Sequence, residues 1–284
     1  MRRMELENRV VLVTGGGGPA TGRAVVLRLA AEGAAVVVAD VDVDGGRESV
    51  RRVEATGGRA AFVRADVTAE RDVAAMVAFA GETFGGLDVL VNSAGGPAAP
   101  HYPEAPSDHW GRTLDLNLRG PMLAIQHALP AMRRRGGGAI VNIASIAGMG
   151  TLPNGVVDYA VAKAGVIRLT AVLAPLAASD GIRVNCVVPD WIATAETIAF
   201  AASLDPAQRA LMHVAEPDEM TPPEEIAGAV ARFVHDDSMA GRVLVCWCGM
   251  PWVLVAPGDF GYARSDISPV QPAAAPSGPR GEAG

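Results

Sequence analysis

The chain is almost without lysine. Of its 284 residues only Lys163 is one; arginine serves wherever else a permanent cation is used. A planar, forked guanidinium does not replace a compact ammonium on a flexible stem where chemistry needs the latter. The single lysine stands four residues after Tyr159, one of only three tyrosines. An i,i+4 surface pair on a helix would take arginine equally well, so the retained lysine marks Tyr159–Lys163 as a place set by chemistry.

Other scarcities exclude whole classes. The three cysteines, Cys186, Cys246 and Cys248, make no disulfide framework. Cys246 and Cys248 are one residue apart, too close for an ordinary metal pair, and no histidine cluster accompanies them. Free thiols and no metal are expected. Aromatic residues make up 5% while half the chain is apolar, so Ala, Val and Gly must build the core. The net charge of −7 argues against a nucleic-acid or anionic-membrane surface. The densest basic run, Arg133–Arg135 before three glycines, reads as a solvated helix C-terminus. No apolar run is read as membrane-spanning, and the first nine residues lack a signal peptide's apolar core. A soluble, cytoplasmic protein is expected.

What is present is a rhythm. Short β-branched runs at 9–14, 34–40, 59–66, 87–95, 138–145, 181–189 and 242–247 alternate with helical patterns at 23–33, around 47–52, 69–84, about 107–135, 156–178 and near 222–235. Such alternation predicts right-handed βαβ units and a doubly wound, Rossmann-type α/β fold with a parallel sheet of about seven strands. One domain over 1–256 is expected, with a partly helical, mobile substrate loop at about 190–221. Residues 257–284, rich in Pro, Ala and Gly, form a C-terminal tail expected to be largely disordered.

The first strand ends in a glycine-rich turn, Gly15–Gly22, and a helix follows. That arrangement sets backbone N–H groups and a helix N-terminus against a pyrophosphate, although a glycine-rich loop by itself is often merely flexible. Asp40 closes the second strand, 18 residues after Gly22. Its carboxylate can accept from both adenosine ribose hydroxyls and would repel a 2′-phosphate, which points to NAD over NADP. Asp66 closes the third strand, within reach of an adenine edge; alone, each Asp reads equally as a strand-end cap.

The chain resembles the short-chain dehydrogenase/reductase family from about residue 8 to 250. The resemblance rests on Val13-Thr14-Gly15, Ala65-Asp66-Val67, Asn92-Ser93-Ala94-Gly95, Asn117 within Leu116-Asn117-Leu118, and Asn142-Ile143-Ala144-Ser145. It extends through Tyr159 and Lys163 to Arg183-Val184-Asn185, Pro189 and Thr194. It implies a catalytic tetrad of Asn117, Ser145, Tyr159 and Lys163. It implies cofactor contacts at Gly15, Gly18, Thr21, Gly22, Asp40, Asp66, Val67, Asn92, Ala94, Gly95, Tyr159, Lys163, Pro189, Ile192 and Thr194. The partners it implies are a small alcohol or ketone and further copies of the chain, as a tetramer or dimer. Tyr159 is the expected general acid/base. A free phenol has a pKa near ~10, so work near neutrality needs about three units, or ~4 kcal/mol. An ammonium at ~5 Å in an effective dielectric of ~20 supplies about 3 kcal/mol, and burial acts in the opposite direction.

The chain also departs from the family. Gly15 and Gly22 are one residue further apart than usual, and Pro19 removes a donor from the turn. Asp190 follows Pro189 where glycine is common, a carboxylate that restricts substrates or favours the oxidised cofactor. Cys246-Trp247-Cys248-Gly249 replaces a common Asp-Gly-Gly, and the tail, in a tetramer, covers a neighbour's site. The expected pocket residues Gly96, Pro97, Ile146, Met149, Leu152, Trp191 and Ile192, with His101 as the polar exception, suit a hydrophobic or cyclic secondary alcohol. Core packing explains most of them equally well. A nucleotide-binding regulatory protein without turnover is the alternative, and the complete tetrad weighs against it.

Overall fold

The computed structural model describes residues 4–150 and 155–256. The strands are β1 (Val10–Thr14), β2 (Ala35–Asp40), β3 (Arg59–Arg64), β4 (Val89–Asn92), β5 (Gly138–Ile143), β6 (Ile182–Pro189), β7 (Val243–Cys246) and β8 (Val253–Val255), of which the edge strands β3 and β8 are the least buried. They make one sheet in the order β3-β2-β1-β4-β5-β6-β7-β8. Every pairing is parallel except β7 with β8. The sequence predicted about seven strands; the eighth is the three-residue β8, which follows Pro251 and Trp252. So short an apolar run becomes a strand only by pairing back on β7.

The helices are α1 (Thr21–Ala31), α2 (Val43–Glu54), α3 (Glu70–Phe84), α4 (Ser107–Leu114), α5 (Gly120–Arg134), α6 (Val157–Val172), α7 (Leu176–Ser179), α8 (Ala195–Ser203), α9 (Pro206–Met212) and α10 (Pro223–His235). Val25, Val26 and Leu29 of α1 join Ile226, Val230 and Phe233 of α10 on one sheet face. Val73 and Met76 of α3, with Leu123, Ala128 and Met132 of α5, cover the other. Small side chains permit this close double layer, as the aromatic-poor composition requires. The strand order reverses between β1 and β4, which opens a crevice at their carboxyl ends.

Four details add to the sequence reading. The long helix over 107–135 is divided by one π-helical turn, Asp115–Arg119, which carries Asn117. Arg133 and Arg135 are not free in solvent: Arg133 pairs with Asp180 at 2.7 Å, and Arg135 with the buried Asp88 at 3.1 Å. Val157–Ser179 is long and apolar enough, by length and composition, to cross a bilayer. It is nonetheless interrupted before α7, and it carries the buried Asp158 and Lys163. The 190–221 segment holds α8 and α9 around its own small apolar cluster of Ala201, Val214 and Met220. Leu152 and the 257–284 tail lie outside the described residues.

Candidate active site

The nucleotide end of the crevice is a cradle that side chains would destroy. Gly15 has φ +69°, and a Cβ there would lie 2.7 Å from Ala94 Cα; a Cβ on Gly22 would collide with the Gly15 carbonyl. Within the turn a Cβ on Gly17 would lie 2.9 Å from Asp40 Oδ2 and from Gly46 N, whereas Gly18 has nothing within 4 Å of where a Cβ would sit. No side chain caps α1 and no acidic residue occupies its first turn. Its amides and dipole are therefore left for an anion, which fits a dinucleotide pyrophosphate.

The lengthened turn is tied down from α2. Arg23 donates to the carbonyls of Gly17 and Gly45 and, at 2.9 Å, to Ser49 Oγ, while Ser49 Oγ donates to the Gly16 carbonyl at 2.6 Å. Asp40 accepts from the Gly17 amide at 2.8 Å and the Asp42 amide at 2.9 Å, one on each oxygen. Each oxygen keeps a lone pair for a hydroxyl donor. Asp66 accepts from the Thr68 amide and hydroxyl through Oδ1, leaving Oδ2 without a bond to protein.

The reacting end is a cavity of about 140 Å³. Thr21, Ser93 and Gly95 line it from the nucleotide side, Ser145, Tyr159 and Lys163 from β5 and α6, and Pro189, Asp190 and Ile192 from the end of β6. Ser145 caps the short 3₁₀ turn after β5, its Oγ accepting from the Ala147 amide at 3.2 Å. Tyr159 and Lys163 lie one turn apart on α6, which sets both on the same side. Lys163 Nζ is 5.4 Å from the Tyr159 ring centre and donates to the Ile143 carbonyl at 2.9 Å. Asn117 is fully buried; it accepts from the Gly96 amide and donates to the Gly96 carbonyl, both at 2.9 Å. A Cβ on Gly95 would lie 2.6 Å from Asn117 Oδ1 and 3.1 Å from Lys163 Nζ. The glycine thus lets these two side chains converge.

Burial dominates the electrostatic balance of the Tyr159–Lys163 pair. Burial raises the Tyr159 phenol above its ordinary value, and the hydrogen bond with Ser145 only opposes that. Burial also pushes Lys163 down to about 8, against a smaller opposing effect from Cys186. The ammonium is itself desolvated.

Asp190 anchors the far wall. Its amide donates to the Cys246 carbonyl at 3.0 Å, and its Oδ2 accepts from the Cys248 amide at 3.3 Å. Its Oδ1 is sealed from solvent with no partner, and burial raises its pKa. The Cys248 thiol in turn donates to the Trp191 carbonyl at 3.2 Å.

Sequence comparison fits this geometry. A family model described as enoyl-(acyl carrier protein) reductase matches residues 20–250. Cyclohexanol dehydrogenase of Acinetobacter sp. (strain SE19) is 36% identical over 82% of this chain and 90% of its own. The chain belongs to the short-chain dehydrogenase/reductase family. Cis-4-hydroxycyclohexanecarboxylate dehydrogenase of Sinomonas cyclohexanicum is 41% identical, covering 80% of this chain and 90% of its own. A short-chain type dehydrogenase/reductase from Mycobacterium ulcerans superposes with a TM-score of 0.77 at 30% identity, over 85% of this chain and 89% of that one. Dehydrogenases of this family use nicotinamide cofactors, NAD or NADP.

Within this short-chain dehydrogenase/reductase, the expected site residues divide. Thr21, Gly95, Ser145, Tyr159, Lys163, Pro189 and Ile192 share the cavity. The Asn92 side chain turns away: it donates to Asn142 Oδ1 at 2.9 Å inside the sheet, and Asn142 donates on to Thr170. Val67 is buried, and it is the side chain a Cβ on Gly120 would meet. Thr194 caps α8 by accepting from the Thr197 amide at 3.1 Å. Pocket candidates Trp191 and His101 have other surroundings: Trp191 Nε1 donates to the His213 carbonyl at 2.8 Å, and His101 Nδ1 is buried without a partner. Sequence reasoning missed Ser93 as a wall and Thr14 as a support. Thr14 Oγ1 accepts from the Ser93 and Ala94 amides at 3.1 and 3.2 Å, and its place just before Gly15 was the available signal.

Proposed function

We propose that the chain is an NAD-dependent dehydrogenase that interconverts a hydrophobic, cyclic secondary alcohol and its ketone. The convergence of Ser145, Tyr159 and Lys163 on one cavity, at the carboxyl edge of the sheet, carries the reading. The two related enzymes named for ring alcohols support the substrate class. NAD is favoured because Asp40 puts a carboxylate where NADP would carry its 2′-phosphate.

In this reading the bound nicotinamide supplies the hydride acceptor, and the chain supplies everything else. Gly15, Gly22 and the α1 amides hold the pyrophosphate, and Asp40 the adenosine ribose. Lys163 Nζ orients the nicotinamide ribose while keeping positive potential near Tyr159. Tyr159 as the phenolate takes the alcohol proton and becomes the phenol, or as the phenol gives its proton to a ketone and becomes the phenolate. Ser145 holds the substrate oxygen beside it. Asn117, through Gly96, keeps the Gly95 turn open behind Lys163. The exposed apolar side chains Met122 of α5 and Val157, Val161 and Val172 of α6 support a homo-oligomer, and the free cysteines support a cytoplasmic setting.

The test is a panel of cyclic and linear secondary alcohols with NAD and NADP, followed at the reduced-nicotinamide absorbance. Cyclohexanol-type substrates with NAD are expected to turn over fastest. Tight NAD binding without turnover of any alcohol or ketone would favour the regulatory reading, and preference for NADP would contradict the role of Asp40.

A further inference from the structure

Asp190 is unusual in its own site. Lys163 and Asp190 are the two side chains of opposite formal charge that line the cavity, and no ion pair joins them among the described residues. Lys163 spends a donor on the Ile143 carbonyl. Asp190 spends Oδ2 on the Cys248 amide, and its Oδ1 is closed off from water with no hydrogen-bond partner among the described residues. An ionised carboxyl in that state lacks the compensation that buried charges require. The position also follows directly from the end of β6, where Pro189 and Ile192 form the wall on either side of it.

A missing compensating charge can be supplied across the cavity without contact, because partly buried charges are screened less than exposed ones. The oxidised nicotinamide ring is cationic and the reduced ring is neutral, while the rest of the nucleotide is the same in both. We propose that Asp190 selects the redox state of the cofactor: its uncompensated carboxylate favours the oxidised, cationic nicotinamide over the reduced one. The bias holds the protein ready for alcohol oxidation by favouring occupancy by the oxidised cofactor. The inference rests on the reading above that a nicotinamide nucleotide binds this cavity. Burial disfavours the charge of Asp190 in the free chain, and arrival of the cation reverses that balance.

The experiment measures dissociation constants of NAD+, NADH and ADP-ribose by calorimetry for the full chain and for Asp190→Asn and Asp190→Gly. Asn keeps an acceptor for the Cys248 amide but removes the charge. In the Asn variant the NAD+ constant is expected to rise about tenfold, the equivalent of ~1.4 kcal/mol, with NADH and ADP-ribose changed less than twofold. The Gly variant is expected to show the same selective loss. Equal changes for NAD+ and NADH, or none, would overturn the inference while leaving the proposed function standing. Failure of the parent chain to bind either nucleotide would remove both. If neither variant folds, as read by its melting curve, Asp190 is a structural acceptor for Cys248 and the selector role is refuted.

Discussion

The two ends of the crevice are built under opposite constraints. At the nucleotide end, Gly15 and Gly22 leave no room for a Cβ, and Arg23, Asp40 and Ser49 satisfy the backbone of the turn one group at a time. At the reacting end, the same chain leaves polar groups dissatisfied. Tyr159 and Asp190 are raised by burial, Lys163 is depressed by it, and Asp190 Oδ1 has no partner. A binding cradle gains from being complete before its ligand arrives. A reacting centre gains from groups whose protonation is poised to change when ligand arrives. The contrast is one of shape on one side and of unspent electrostatics on the other.

The sharpest way to break this comparison is Tyr159→Phe. If the reacting end works through proton transfer, alcohol oxidation should fall about 10³-fold while NAD affinity, set at the other end, changes little. Steady-state kinetics beside calorimetry reads both, and equal losses in rate and affinity would dissolve the division. Next in size is a pair of glycine changes. Gly22→Ala forces a Cβ into the Gly15 carbonyl and should cost about 1–3 kcal/mol of stability, with nucleotide affinity lost. Gly18→Ala, where a Cβ meets open space, should alter neither by more than a few tenths of a kcal/mol; melting curves with and without NAD separate the two.

Asp40→Asn should raise the NADP-to-NAD ratio of kcat/KM about tenfold, since one desolvated charge near a phosphate carries on the order of 1.4 kcal/mol. An unchanged ratio would show that selectivity lies elsewhere. The smallest effect concerns stability and pH. The folded pKa of Lys163, about 8, lies below its unfolded value of about 10.4. Between those values the unfolded chain binds more protons, so the Lys163 contribution to stability rises with pH across that window. Lys163→Met should therefore melt higher than the parent at pH 7, with the difference shrinking by a few degrees towards pH 10. A constant difference would mean that the buried amine is not the group titrating.

Periodicity and turn residues revealed most of the architecture, because buried parallel strands are written as unbroken Val-rich runs. They did not reveal β8, whose three residues carry no period. Nor did they reveal the π-turn at Asn117, since an extra residue within a helix leaves the apolar pattern nearly intact. The same limit applies to side chains. Asn92 and Thr194 sit where the family pattern expects cofactor contacts, and tertiary structure also ties their side chains to Asn142 and Thr197. Ser93 reaches the cavity only because Thr14 folds the turn over it.

The sequence by itself singled out the pair proposed to carry the reaction, since a chain this poor in lysine retains one only at Lys163, one helical turn after Tyr159. It also determined the glycine turn and the βα order, because these are local properties of backbone and spacing. Tertiary structure decided what those residues experience. Whether an ammonium keeps its proton, whether a carboxylate has a partner, and which aspartate meets a backbone amide depend on atoms brought from distant strands. Desolvation is a property of the packed site, and the Asp190–Cys248 contact, across 58 residues of chain, exists only once β6 and β7 lie side by side.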